Sequence, residues 1–401
     1  MIDLAEAQRL VLEACPLLPA RPHDLGEVVG LVLAADVVAG DDVPPFDNSA
    51  VDGYAVRAVD VAATPVELVV AGEIAAGAAS ERSVQPGEAV RIMTGAPIPP
   101  GADAVVMVED SETVADGRTV RLTRSVDAGA AVRRAGSDVR SGTTVFTSGT
   151  VVTAPALGVL ASINARTVSA HPRPRVALLS TGDELVGDGS PLRPGQIRES
   201  NATMLAPLLA DAGCDVDRLG VVPDDEVVLE QVLRDAARTA DAIVSSGGVS
   251  MGEYDVVKAV LGRLAVMRWM QVAIKPAKPF AFGLLDGVPV FGLPGNPVSS
   301  LVSFELFARP ALRRMMGHTR LARPSLVAVA DETIDRREDG KVHLVRVVGG
   351  FADDGRYHVR PVGAQASHQL AATALADALA VVPDGDGVPA GADVAVLLLT
   401  G

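Results

Sequence analysis

Apolar and polar positions follow one rhythm in the first third of the chain and another after it. Between 27 and 147, short Val-rich runs (GLVLAADV, VELVVAG, EAVRIM, DAVVMVE, RTVRL and GTTVF) stand between Gly and Pro turns. Such runs read as short strands of small β-domains. Ahead of them, residues 3–15 carry apolar positions at helical spacing and read as an amphipathic helix. The texture changes after HPRPR at 171–175. RVALLS reads as a strand, NATMLAPLLADAG as a helix ending in glycine, DVDRLGVV as a strand and DEVVLEQVLRDAART as a helix. DAIVSSGG reads as a strand entering a Gly loop, VPVFGLP as another strand, and PVSSLVSFELFARPALRRMM as a helix. Alternation of this kind predicts βαβ units in a doubly wound, mostly parallel sheet. Beyond Gly317, SLVAVA, KVHLVRVV, YHVRPV and DVAVLLL read as a small C-terminal β-domain, with HPRPR and HTRLARP as linkers. The expected fold class is α/β plus β, in several domains.

Length agrees, since 401 residues exceed one ordinary core. Hydrophobic residues at 48% and charged residues at 21% mark a globular chain, and aromatics at 3% leave Val, Ala and Leu to build the cores. A net charge of -15 with no basic stripe argues against nucleic acid as partner. Cys15 and Cys214 stand far apart and form no metal or redox motif, so a reducing cytoplasm is the expected setting. The helix at the N-terminus lacks a basic leader, and no apolar run reaches the ~18 residues of a membrane span. The six histidines show no zinc-ligand spacing.

Candidate chemistry sharpens the picture at one loop. The chain has four lysines among its 35 basic residues, and two of them, Lys275 and Lys278, sit in IKPAKPF. An ammonium is a compact point charge, so two on one loop suit a small oxyanion such as phosphate, sulfate or molybdate. A solvated turn is the plainer reading, but a protein this acidic repels a dianion unless a local cationic patch reverses the field. Three loops follow strands at the sheet's carboxyl ends, where ligands of open α/β sheets bind. They carry Thr181 to Glu184; Gly247, Gly248, Val249, Ser250 and Met251; and Pro294, Gly295 and Asn296. Any one of them is an ordinary turn. Three together, with unpaired N–H groups at helix starts, suit an anion. Asp183, Glu184, Asp224, Asp225 and Asp255 flank these loops and could hold magnesium against phosphates. Asp224 and Asp225 begin a helix, so capping competes with metal binding there. In the first half, PPFDNSAVDGYAVR at 44–57 and MTGAPIPPGADAVV at 93–106 read only as tight turns.

Together these strings resemble the molybdopterin molybdenumtransferases, the MoeA-like enzymes whose family includes the enzymatic domain of gephyrin. The markers FDNSAVDGYAVR, RIMTGAPIPPGADAVV, STGDEL, PGQIRESN, SSGGVSMGEYDVV, IKPAKPFAFG, GLPGNPVSS and GAQASH occur in the family's order along essentially the whole chain. The resemblance implies that adenylylated molybdopterin and molybdate are substrates, that AMP leaves, and that Mg2+ assists. It places catalytic positions on Asp52, Thr94, Glu184, Asp255, Lys275 and Lys278. Substrate-binding positions fall on Asp138, Arg346 and Ser367, beside Gly247, Gly248, Ser250, Pro294 and Asn296 of the loops read above, and metal positions on Glu184, Asp224 (or Asp225) and Asp255, with both Asp224 and Asp225 kept as candidates. It implies a homodimer with shared active sites and transient contact with the molybdopterin adenylyltransferase. The domains it implies are 1–45 with 138–170 (linker and dimerisation), 46–137 (inserted β-rich lobe), 171–318 (α/β, molybdopterin-binding) and 319–401 (C-terminal β). Ala277 stands where the family has glycine in the lysine loop, Glu199 where it has aspartate, and Ala366 where it has glycine. A positive φ at 277 would strain the alanine.

Two other functions fit parts of the chain. A molybdopterin adenylyltransferase shares the α/β domain but needs neither β-rich part. A gephyrin-like scaffold needs extra modules and a long linker, which this chain lacks.

Overall fold

The computed structural model describes residues 1–78, 81–114, 117–247 and 256–399. Its internal contacts divide the chain into two units. One comprises Met1–Arg21, Gly30–Val32 and His171–Gly401, and the other Pro22–Val29 and Leu33–Ala170.

In the first unit, alternation along the chain becomes a six-stranded sheet. Its elements in chain order are β1 (Arg175–Thr181), α1 (Asn201–Asp211), β2 (Asp215–Val222), α2 (Glu226–Thr239), β3 (Ala242–Ser246) and α3 (Val256–Leu264), then β4 (Val266–Gln271), β5 (Pro279–Leu285), β6 (Val288–Leu293) and α4 (Pro297–Ser303). The strand order is β2-β1-β3-β6-β5-β4. The four strands β2, β1, β3 and β6 run parallel, while β5 and β4 add an antiparallel edge. That edge is missing from the sequence patterning, because VMRWMQ mixes polar with apolar positions and PFAFGLL opens on proline. Alternate residues of β1 serve opposite faces. Val176 and Leu178 join a core with Leu205, Leu209, Phe291 and Phe304, to which the helix Leu4–Ala14 adds Ala7 and Val11. Ala177 and Leu179 join Leu229, Leu233, Val257 and Val260 on the other side. Helices on both faces thus account for the almost unbroken burial of β1 and β3. Cys15 and Cys214 are free and buried in the first of these cores, which pushes both thiols up to about 12.

Residues 297–316, expected as one helix, are interrupted. A π-helical turn, Phe304–Ala308, separates α4 from a further helix at Arg309–Met315. The turn stacks Phe307 on Phe280 at 4.3 Å. It also buries Glu305 against Arg323, whose Nε and Nη2 each donate at 3.0 Å.

The C-terminal strands close on themselves. Val342–Phe351 pairs with both Tyr357–Pro361 and Ala378–Val382, and Ser325–Ala330 and Asp393–Leu398 complete a five-stranded circuit. Small residues fill it, among them Val347, Val359, Ala378, Ala380 and Val396.

The second unit carries a six-stranded sheet in the order Ala104–Met107, Gly53–Val56, Glu88–Ile92, Val66–Ile74, Thr119–Leu122, Ser111–Val114. A helix absent from the sequence reading, Ala154–Ser162, packs Ala156 and Leu160 against Val28, Leu33 and Val168. Pro155 at its start and Gly158 within it hide it from a propensity reading.

Candidate active site

The sheet order of the first unit reverses direction at β1, which has β2 on one side and β3 on the other. Loops leaving the carboxyl ends of strands at such a switch point form the usual crevice of this fold. The loop after β1 turns back on itself: a Cβ placed on Gly182 would lie 2.5 Å from Glu184 Oε2. Glu184 therefore folds over the strand end, with its side chain exposed. Asp183 Oδ1 accepts from the Asp224 N–H at 3.0 Å, which ties this loop to the one after β2.

Asp225 caps α2. Its Oδ1 accepts from the N–H groups of Val227 at 2.9 Å and Val228 at 3.0 Å. Capping is thus a role the structure gives it, through one of its two carboxylate oxygens.

At β3, Gly247 adopts φ +98, and a Cβ there would meet Thr181 O at 2.7 Å. No larger residue fits that junction. Asn201, at the start of α1, donates through Nδ2 to Ser246 Oγ and to Gly295 O, both at 2.7 Å, and so clamps the loops after β3 and β6 together. Sequence reasoning left Asn201 unassigned although it ends the RESN string. Glu199, two residues earlier, accepts from Ser180 Oγ at 3.0 Å and from the Ala202 N–H at 2.6 Å. Gly248, Ser250 and Asp255, expected as site residues, lie outside the described residues.

The lysine loop leaves β4 and returns as β5. Val272 N–H donates to Lys278 O at 2.8 Å and closes it. Ala273 N–H donates to Ile2 O at 2.8 Å, and Val342 N–H to Ala273 O at 2.9 Å. Ile274–Lys275 then forms a parallel pair with Val342–His343 of the barrel. Between the two exposed lysines Ala277 is buried at φ +74, so the strain expected from an alanine there is present.

A cavity of about 1090 Å³ opens beside this loop, lined by Lys275, Lys278, Pro294, Asn296 and Ser367. Ser367 is seated by its own carbonyl, which accepts from the Val298 N–H at 3.1 Å at the start of α4.

Arg346, a substrate-binding position by the family resemblance, is 1% exposed and does not line the cavity, which corrects that expectation. Its guanidinium donates to Gln369 O at 2.7 Å, Ala364 O at 2.8 Å, Thr373 Oγ1 at 3.0 Å, and Gln365 Oε1 and Ala366 O at 3.3 Å. Five acceptors satisfy a buried guanidinium, so Arg346 holds the loop that carries Ser367. Gln365, in the GAQASH string, completes this arrangement by donating to Arg346 O at 3.1 Å and Val362 O at 3.0 Å.

In the second unit the two strings read as tight turns fold onto each other. Ser49 N–H donates to Ala96 O at 3.0 Å and Gly95 N–H to Ser49 O at 2.8 Å. This brings Asp52 to Thr94, whose N–H and Oγ1 donate to Asp52 Oδ1 at 2.6 and 2.7 Å. The two bonds, the backbone one first, hold the Asp52 carboxyl below its ordinary range. Asp138 is exposed in a neighbouring turn, where its N–H donates to Val43 O at 2.9 Å.

Comparison with known proteins agrees along the chain. The family models that match are the MoeA N-terminal region (domain I and II) over residues 2–164, a probable molybdopterin binding domain over 177–314, and the MoeA C-terminal region (domain IV) over 333–399. Molybdopterin molybdenumtransferase 2 of Mycobacterium tuberculosis is 41% identical over 394 residues, 96% of each chain. The molybdopterin molybdenumtransferase of Haemophilus influenzae is 36% identical over 398 residues, 99% of this chain and 98% of that one. A crystal structure of the molybdopterin biosynthesis MoeA protein from Pyrococcus horikosii superposes with a TM-score of 0.83 at 30% identity, covering 100% of both chains.

Proposed function

The chain belongs to the molybdopterin molybdenumtransferase family, and on that premise we propose that it inserts molybdenum from molybdate into adenylylated molybdopterin and releases AMP. The observation that carries the reading is the convergence of Lys275, Lys278, Pro294, Asn296 and Ser367 on one cavity at the carboxyl end of β6. Two ammonium groups there supply the positive charge that a dianion needs in a chain of net charge -15. An adenylyltransferase would need only the α/β domain, whereas the relatives match this chain along almost its entire length.

The residues divide the work as follows. Lys275 and Lys278 hold the oxyanion by charge-assisted hydrogen bonds. The glycine at 247 lets backbone approach the diphosphate. Glu184, exposed over the end of β1, orients the water whose oxygen adds to one phosphorus while the bridging oxygen leaves with the other. Thr94 fixes Asp52 as an ionised acceptor, and Arg346 acts only through the Ser367 loop.

Magnesium fits the donor set at the switch point. Among the described residues no cluster of three His, Cys, Asp or Glu side chains could hold a metal, but magnesium commonly takes one or two carboxylates plus substrate phosphates. Glu184 and Asp224, on loops joined through Asp183, would hold it. Bound there, it would offset the charge that builds on the diphosphate.

The assembly proposed is a homodimer with shared active sites, in the cytoplasm, in transient contact with the molybdopterin adenylyltransferase that makes the substrate. None of the helices among the described residues is long and apolar enough to cross a membrane. The test is turnover. The pure protein, given adenylylated molybdopterin, molybdate and magnesium, should release AMP and yield active cofactor, and AMP release should slow without magnesium. AMP release that is absent under all these conditions would overturn the assignment.

A further inference from the structure

Three of the four lysines, Lys275, Lys278 and Lys341, line the same cavity. Lys341 comes from the barrel wall and sits beside Asp339 and His343. Its Nζ donates to Asp339 Oδ2 at 2.8 Å, and His343 Nε2 lies 3.2 Å from both oxygens of that carboxylate. Arg336 also donates to Asp339, at 3.1 Å, but it is fixed in the wall. It is bonded to Asp384 and to the carbonyls of Lys341, Val382 and Pro383. Strand pairing sets Lys275 directly opposite His343. A dianion held by the lysine pair in this cavity therefore has Lys341 and His343 as neighbours.

We propose that Lys341 and His343 form the barrel-side half of the oxyanion site, and that His343 takes up a proton when a dianion occupies it. The proposal rests on the reading of Lys275 and Lys278 as the oxyanion site. The charges around His343 make the coupling physical. Asp339 and Lys341 flank it on its own segment, Arg336 lies behind Asp339, and Lys275 faces it from the paired strand. On its other side it pairs with Val382, beyond which Asp384 accepts from Arg336 and from the N–H groups of Asp339 and Gly340. Burial holds His343 below its ordinary value, Asp339 opposes this, and Arg336 and Lys275 add to it. A dianion beside Lys275 cancels that repulsion and favours the imidazolium. Anion affinity then rises as pH falls through the window between the free and bound values of His343, by up to about tenfold per pH unit for one proton, and levels off below it.

The experiment is calorimetric titration of the full chain with molybdate, near neutral pH, in two buffers of different ionisation heat. Wild type should take up protons on binding. His343→Gln should bind with little or no uptake. Lys341→Met should keep the uptake but bind roughly tenfold more weakly, the loss of one charge-assisted bond. Equal proton uptake in His343→Gln and wild type overturns the proposal, as does unweakened binding in Lys341→Met. Loss of binding in the Lys275→Ala/Lys278→Ala protein, beside an unaltered His343→Gln, removes this inference and leaves the lysine site standing. Absence of molybdate binding by wild type removes both.

Discussion

Lys275 and Lys278 sit on a loop tied at three points of its backbone, to its own return strand, to Ile2 and to the barrel at Val342. Asp52 is tied by its side chain to Thr94 in the facing turn. The first arrangement leaves both ammonium groups exposed and without a carboxylate among the ion pairs of the described residues. The second already uses one oxygen of its carboxylate. The difference separates two ways of preparing charge for a reaction. Backbone pairing positions a charge and leaves it open for a ligand, whereas a side-chain pair fixes protonation and direction at the expense of one oxygen. Arg346 is the extreme of the second kind, with its whole guanidinium spent on holding a loop.

The largest effect should come from breaking that extreme. Arg346→Met removes the guanidinium donor from the part-buried carbonyls of Ala364, Ala366 and Gln369, at about 1–3 kcal/mol for each group left unmet. The protein should lose on the order of 3 kcal/mol of stability, read as a lower urea midpoint. Turnover should fall with it, because the Ser367 loop loses its anchor. An unchanged midpoint would show that water replaces the guanidinium.

Mixing subunits sharpens the comparison between the two units. Asp52→Ala and Lys275→Ala proteins should each be inactive. Refolded together, they should recover up to about a quarter of wild-type activity if the chain forms the proposed homodimer, in which half the dimers are mixed and each has one intact site of two. If heterodimers form without activity, Asp52 and Lys275 act within one chain.

Asp52→Asn alone should lower the denaturation midpoint slightly at neutral pH, where the ionised carboxylate holds its two bonds from Thr94. The difference from wild type should close in acid. A carboxyl with a depressed folded-state value contributes stability above its unfolded value and loses it as pH falls through the folded one. The acid limb of a stability-against-pH curve should therefore be shallower for Asp52→Asn than for wild type.

The smallest effect is expected at Ala277→Gly. Relief of the positive φ should return about 1–2 kcal/mol. The lost buried methyl costs about 0.8 kcal/mol, and the added freedom of the unfolded chain about 0.4–1 kcal/mol. The balance should stay within about 1 kcal/mol of zero by urea denaturation. A gain well beyond that would show that the alanine strains the whole lysine loop.

The legible parts of this molecule are those whose cause is local. Val176 to Leu179 alternate between two faces, and the patterning of β1, α1, β2 and α2 announces the parallel sheet. The lysine pair stands out because lysine is scarce. Barrel closure, by contrast, depends on Val342–Phe351 finding two partners, one of them more than thirty residues away, and no periodicity reports that. Arg346 in VHLVRVV reads as a polar strand position, and its burial becomes visible only when the 364–373 segment closes over it. Asn201, Lys341 and His343 were missed for the same reason. Each gains its role from a loop distant in sequence. Asp225 shows the limit of a composition signal, since a carboxylate at a helix start serves equally as a ligand or a cap.

Everything proposed for the chemistry turns on the lysine pair being the oxyanion site. Equilibrium dialysis of molybdate against wild type and the Lys275→Ala/Lys278→Ala protein tests it most directly, with circular dichroism confirming that both are folded. Each lost charge-assisted bond should cost roughly 1.5–3 kcal/mol, so molybdate affinity should fall by about two orders of magnitude or more. Equal affinity in the two folded proteins would contradict the account.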